Sequence, residues 1–99
     1  RGNGWFLNLP KPVIKLMGLV PETSNVQLKI SSKILYVKEI SPENPDFEKY
    51  LVRKLSRKNS SWGLYMPNPV LELLEINPGI DSINVEVENN ILKVKRAEK

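Results

Sequence analysis

The apolar residues of this chain fall in short bursts, and the bursts come in two matching sets. "WFLNL" (Trp5–Leu9) and "WGLYM" (Trp62–Met66) are short, aromatic and apolar, which predicts strands. Each stops at a proline, Pro10 or Pro67, and a second proline follows at Pro12 or Pro69. That second proline suits the first position of a helix, where a missing N–H removes nothing from the hydrogen-bond ladder. "VIKLMGL" and "VLELLEI" then supply about two turns of helix. Asn68 is a good N-cap for the second helix and Lys11 a poorer one for the first. Gly18 suits a helix end, and Pro21 and Pro78 forbid continuation. "VQLKI" (Val26–Ile30) and "INVEV" (Ile83–Val87) alternate apolar and polar, as half-buried strands do. The turns "SSK" and "ENN" lead into "ILYVKEI" and "ILKVKRA", so each set closes with a hairpin. Asn89 and Asn90 can take the positive φ that a tight hairpin turn requires.

Sliding the chain by 57 positions lays residues 3–40 over 60–97 without a gap, and 11 of the 38 positions are identical. Pairs such as Leu9/Met66, Ile14/Leu71 and Val26/Ile83 keep apolar character where a core needs it. An internal duplication follows. Two units are too few for a solenoid and the right number for a pseudo-dimer, in which one chain supplies both halves of a two-fold fold. A lone hairpin is marginal in water, so the copies must pack on each other, and a closed or nearly closed β-barrel is the expected result. The expected fold is therefore mostly β with two short helices. It forms a single domain over residues 1–99, with repeat one at 1–40, a linker at 41–49 and repeat two at 50–97.

The linker, "SPENPDFEK", holds two prolines and three acids. After it "YLVRKLSRK" (Tyr50–Lys58) reads as one more strand running into the polar loop "RKNSSW". The first copy has no counterpart: either a strand belongs upstream of Arg1, or the barrel has one strand fewer on that side.

Composition narrows the chemistry. The chain has no cysteine and no histidine, which excludes disulfides, thiolate metal sites and the commonest general base. Glu72 with Glu75, and Glu86 with Glu88, read as solvated faces rather than catalytic pairs. No nucleophile with a base, no phosphate-binding loop and no metal cluster appears, so a binding protein without cofactor or enzymatic activity is expected. No apolar run approaches the ~20 residues of a membrane span, and no signal-peptide pattern opens the chain. The expectation is a soluble cytoplasmic protein without a membrane partner. The net charge of +4 resides in the first forty residues, where six cations face two carboxylates. A second basic cluster (Lys49, Arg53, Lys54, Arg57 and Lys58) spans 49–58 without an acid.

The segments "RGNGWFLNLPKPVIKLMGLVP" and "RKNSSWGLYMPNPVLELLEINPGIDSINVEVENNILKVKR" resemble the AbrB/MazE family of swapped-hairpin DNA-binding domains. The shared features are order and spacing: strand, polar turn, short strand ending in proline, two-turn helix, hairpin. The resemblance implies a barrel of interleaved hairpins and a prokaryotic transcription regulator that grips double-stranded DNA. Basic residues of the first strand, the loop after it and the helix would make the contacts. Carried over position by position, it assigns Arg57 to DNA with Arg53, Lys54 and Lys58 beside it, and Arg1 in the first copy. Lys11 and Lys15 compensate on the first helix. Two family arginines are missing: Gly63 and Tyr65, or Phe6 and Asn8, stand at one place, and Leu71 or Ile14 at the other.

Two classes of function remain open. The basic arm can grip phosphates, with affinity falling steeply as salt rises, or it can be a solvated edge strand whose cations discourage aggregation. Asn59, Ser60 and Ser61 can donate to phosphates or merely form a turn. Trp5 and Trp62 fit a core or barrel-mouth role better than base stacking. Without DNA contact, the chain would be a protein-interaction or oligomerisation module, antitoxin-like, with a homodimer or another protein as partner.

Overall fold

Proline and glycine punctuation divides the chain into the elements expected, with one exception. The structure, a computed structural model, describes residues 4–47 and 51–97. In order these are β1 (Gly4–Leu9), α1 (Lys11–Met17), β2 (Asn25–Ser31), β3 (Ile34–Ile40), β4 (Leu51–Lys54), β5 (Ser56–Lys58), β6 (Ser61–Pro67), α2 (Asn68–Leu74), β7 (Ile83–Glu88) and β8 (Ile91–Arg96). The fold is mostly β with two short helices. Among the described residues, no helix is long and apolar enough to cross a membrane.

The exception is "YLVRKLSRK", expected as one strand. It breaks at Leu55 into β4 and β5, which join different sheets. Leu55 is buried at 7% exposure between charged and polar neighbours. Turning the strand there seats Leu55 in the core and leaves Arg53, Lys54, Arg57 and Lys58 exposed.

Two antiparallel sheets result, one with the order β1-β6-β5 and one with the order β4-β2-β3-β8-β7. They enclose one apolar cluster that includes Leu7, Leu64, Leu35, Val37, Leu92 and Val94. Each fully buried side chain of this kind contributes about 1.5–3 kcal/mol. The sheets do not close into a barrel. Segment 51–58 bridges them along one side, and among the described residues no strand bridges β1 and β7 on the other.

Every element of residues 4–40 has a counterpart 57 positions later, to within a residue at each end. The pairing registers follow the same shift. β1 and β6 run antiparallel through Leu7↔Leu64, and β3 and β8 through Tyr36↔Lys93, pairs themselves 57 apart. The hairpin turns also exchange partners. In the β7–β8 turn, Asn90 Nδ2 donates to the Leu16 carbonyl of α1 at 2.9 Å. Lys33, in the β2–β3 turn, sits 3.3 Å from Glu75 just past α2.

Both helices open without a side-chain cap. Pro10 and Pro67 hold the N-cap positions in extended conformation, and the second proline lies one residue into the helix. Asn68 is thus the first helical residue rather than the cap, because Pro67 already provides the extended entry. Both helices end in a left-handed residue, Gly18 (φ 73) and Glu75 (φ 58). The closing bonds match: Leu19 N–H donates to Ile14 O at 3.1 Å, and Ile76 N–H to Leu71 O at 2.9 Å. Both hairpin turns take two positive-φ residues, Ser32–Lys33 and Asn89–Asn90, as a right-twisted two-residue hairpin demands.

Candidate nucleic-acid interface

The basic arm is the strongest charge feature of the sequence, and the structure spreads it over a corner. Arg53 and Lys54 lie on β4, at the edge of the five-stranded sheet, opposite Val26 and Asn25. Arg57 and Lys58 lie on β5, at the edge of the three-stranded sheet, opposite Trp62 and Ser61. Successive residues of a strand face opposite ways, so Arg57 and Lys58 diverge. The Arg57 guanidinium reaches the side of Trp62, 5.9 Å from the ring centroid, and its Nε donates to the Asn59 carbonyl at 3.3 Å. Lys58 Nζ reaches the outer face, 5.5 Å from the Phe6 ring. A cation over an aromatic face gains about 0.5–1 kcal/mol when exposed, enough to orient these side chains. Asn59 takes positive φ (58) and turns the chain from β5 into β6. Arg1 and Lys49 lie outside the described residues.

The outer face of the three-stranded sheet follows from register and alternation. Leu7, Leu9, Leu64 and Met66 point into the core. Phe6, Asn8, Tyr65, Ser56, Ser61 and Lys58 therefore face outward. Phe6 lies across Gly63, where a β-carbon would collide with the Phe6 ring and come 2.5 Å from the Leu7 carbonyl. Tyr65 lies across Gly4 in the same way, with its hydroxyl 2.7 Å from where a β-carbon would be. The three strands contain no carboxylate, and none occurs between Lys49 and Leu71. This face thus offers one cation (Lys58), hydroxyls, an amide and two aromatic rings to a polyanion, with no acidic side chain of its own to repel it. Phe6, Asn8, Gly63 and Tyr65 all belong to it.

The helical candidates are not gathered into this patch. Lys11 and Lys15 are exposed on α1. That helix packs toward β7, at the opposite edge of the five-stranded sheet from β4. Ile14 and Leu71 are buried at 7% and 2% and serve the core. On α2, Glu72 and Glu75 are exposed, which makes that helix unwelcoming to phosphate.

A second basic surface escaped sequence reasoning. Lys29, Lys38, Lys93 and Lys95 fall on the polar side of β2, β3 and β8, on the outer face of the five-stranded sheet around Tyr36. The period-2 alternation of those strands was the signal that could have grouped them. Lys93 is already engaged: its hydrogen bond to Glu88 at 3.0 Å, reinforced by that charge, raises its pKa above the ordinary lysine value. Trp5 and Trp62 are half-buried and pack against the core. No family model, no curated protein and no solved structure matches the chain.

Proposed function

We propose that the chain is a DNA-binding regulator of the AbrB/MazE-like type, acting in the cytoplasm of a prokaryote, with both halves of a swapped-hairpin pseudo-dimer written into one polypeptide. The shift of 57 residues that relates elements and registers supports the duplication. The exchange of hairpin turns between the two helices supports the swap. The observation that carries DNA binding is the carboxylate-free three-stranded sheet, flanked by the exposed cations Arg53, Lys54, Arg57 and Lys58.

The arm works by neutralising phosphates and releasing their counterions. The outer face adds hydroxyl and amide donors to phosphate oxygens, which position the duplex without reading sequence. Four phosphate contacts give a logarithmic salt slope of about −3.6, or roughly a hundredfold loss of affinity between 50 and 200 mM salt. Duplex binding followed by fluorescence anisotropy at those two concentrations is the test. Replacing Arg53, Lys54, Arg57 and Lys58 together with alanine should abolish most of both the affinity and the slope. Binding that is absent at low salt, or indifferent to these four residues, removes the reading.

The second reading is a protein-interaction module. Its support is a pair of apolar side chains displayed at corresponding places on the two helices, Leu16 at 60% and Leu73 at 62% exposure. Replacing both with glutamine should leave DNA binding intact under the first reading and abolish partner capture under the second.

A further inference from the structure

The outward positions of the five-stranded sheet form a grid with Tyr36 near its centre. Across the strands, one row runs Lys29, Tyr36, Lys93 and Glu86. The row on one side holds Gln27, Lys38, Ile91 and Glu88; the row on the other holds Ser31, Ile34, Lys95 and Asn84. Cross-strand neighbours on one face stand about 5 Å apart. Tyr36 therefore has a lysine on the strand to each side of it and Lys38 two residues along its own. Four lysines lie on β2, β3 and β8, while both carboxylates of the grid lie on β7. Glu88 is committed to Lys93. The remaining acid of these strands, Glu39, is turned to Ser24, whose hydroxyl donates to it at 2.8 Å.

Beside Tyr36 the face dips into a hollow of about 430 Å³, lined by Ile34, Tyr36, Asn84, Glu86, Lys93 and Lys95 among others. A second hollow of about 290 Å³ adjoins it through Ile34 and Lys95, and there Ser32, Lys33 and Arg96 stand beside Glu75. The first hollow brings together a half-buried aromatic ring, an aliphatic side chain, an amide, a carboxylate and two ammonium groups. An unpaired nucleotide matches that set. Its base has a flat face for the ring and polar edges for the amide and the carboxylate, and its phosphates answer the lysines. A duplex buries its base faces and could use only the cations. An acidic peptide could use the cations too, but it would meet Glu86 with nothing to offer it.

We propose that this outer face binds single-stranded nucleic acid, with one base stacked on Tyr36 and its edge directed to Asn84 and Glu86. Lys38 and Lys95, at equivalent places in the two halves and both exposed, hold the flanking phosphates. The site lies on a different sheet from Arg57, Lys58 and the carboxylate-free face, so it does not depend on duplex binding there.

The test uses the full chain and a fluorescently labelled strand of about 12 nucleotides, a length such a face can span. The strand contains only cytosine and adenine, so it cannot pair with itself. Anisotropy at about 50 mM salt should rise saturably with protein. Lys38→Ala together with Lys95→Ala should weaken single-strand binding about tenfold and flatten its salt dependence, while duplex binding by the arm stays as it was. Tyr36→Leu should weaken it by a similar factor, and Tyr36→Phe, which keeps the ring, should not. Arg57→Ala with Lys58→Ala should weaken the duplex and spare the single strand, which separates failure of this site from failure of the arm. Four results would overturn the proposal. The strand could remain unbound at ~100 μM protein. Its binding could depend on Arg57 and Lys58 and be indifferent to Lys38 and Lys95. A Tyr36→Leu chain with the parent's thermal transition could bind as the parent does, leaving only charge attraction. Or polyglutamate of equal charge could displace the strand as well as the unlabelled strand does, making the face a site for acidic peptide.

Discussion

β2 and β7 are written in the same alternation and are paired in the same way to the second strand of their hairpins, yet they end in different environments. Val26 is fully buried; its counterpart Ile83 is only half so, and Val85 is exposed where Leu28 is not. The difference lies in the neighbour and not in the strand, since β4 covers one edge and no described strand covers the other. An alternating pattern says which side chains face inward, while the amount of water they lose depends on what arrives from elsewhere in the chain. The helix ends and hairpin turns teach the converse. There the geometry is the same in both halves although the residues differ, Gly18 against Glu75 and Ser32–Lys33 against Asn89–Asn90. The fold imposes left-handed backbone on residues that do not favour it.

The sharpest way to break the comparison is at Gly63, whose counterpart is Phe6. A branched side chain at Gly63 would collide with the Leu7 carbonyl of the paired strand. Gly63→Val should lose about 3 kcal/mol or more, whereas Phe6→Val, on the outer face, should lose far less. Urea denaturation reads both, and equal losses would mean the β1–β6 register is not the one described. Next in size is one substitution made on each edge. Val26→Ala should destabilise by about 2 kcal/mol and Val85→Ala by under about 1 kcal/mol, because only the first removes fully buried methyl groups. Equal effects would show that the β7 edge is covered in solution. At the helix ends, Gly18→Ala should cost about 1 kcal/mol and Glu75→Gly should gain a similar amount, since a β-carbon is strained in the left-handed region. Losing the exposed Lys33 pair with Glu75 should barely reduce that gain. Smallest, replacing Ser32–Lys33 with Asn-Gly should raise stability by roughly 0.5–1 kcal/mol, while the same change at Asn89–Asn90 should do less.

The candidate site was partly legible for the same reasons. The cations of the arm could be read directly, because a charge run without acids is a local property. Its bend at Leu55 could not, because an apolar residue set among charged and polar ones does not say which of two sheets will bury it. The outward placement of Phe6 and Tyr65 was also hidden. Both look like core residues in an apolar strand, and only the facing glycines, Gly63 and Gly4, give their rings room to lie flat on the outer surface. Lys11 and Lys15 could be placed on a helix from spacing alone, but not at the sheet edge away from the arm. Asn68 has the chemistry of a cap but enters the helix as its first residue, because the extended proline ahead of it holds the cap position.

Apart from the break at Leu55, local chemistry alone was enough to set out the elements of this protein, their order and their recurrence after 57 residues. Proline stops and two-residue alternation act over a few bonds and do not need the rest of the chain. Packing settled the remainder. The division into two open sheets, the turn at Leu55, the exchange of hairpin tips between helices and the unequal cover of β2 and β7 all depend on contacts between residues far apart in sequence. Such contacts are chosen by the free energy of the whole core, which no short stretch of sequence contains.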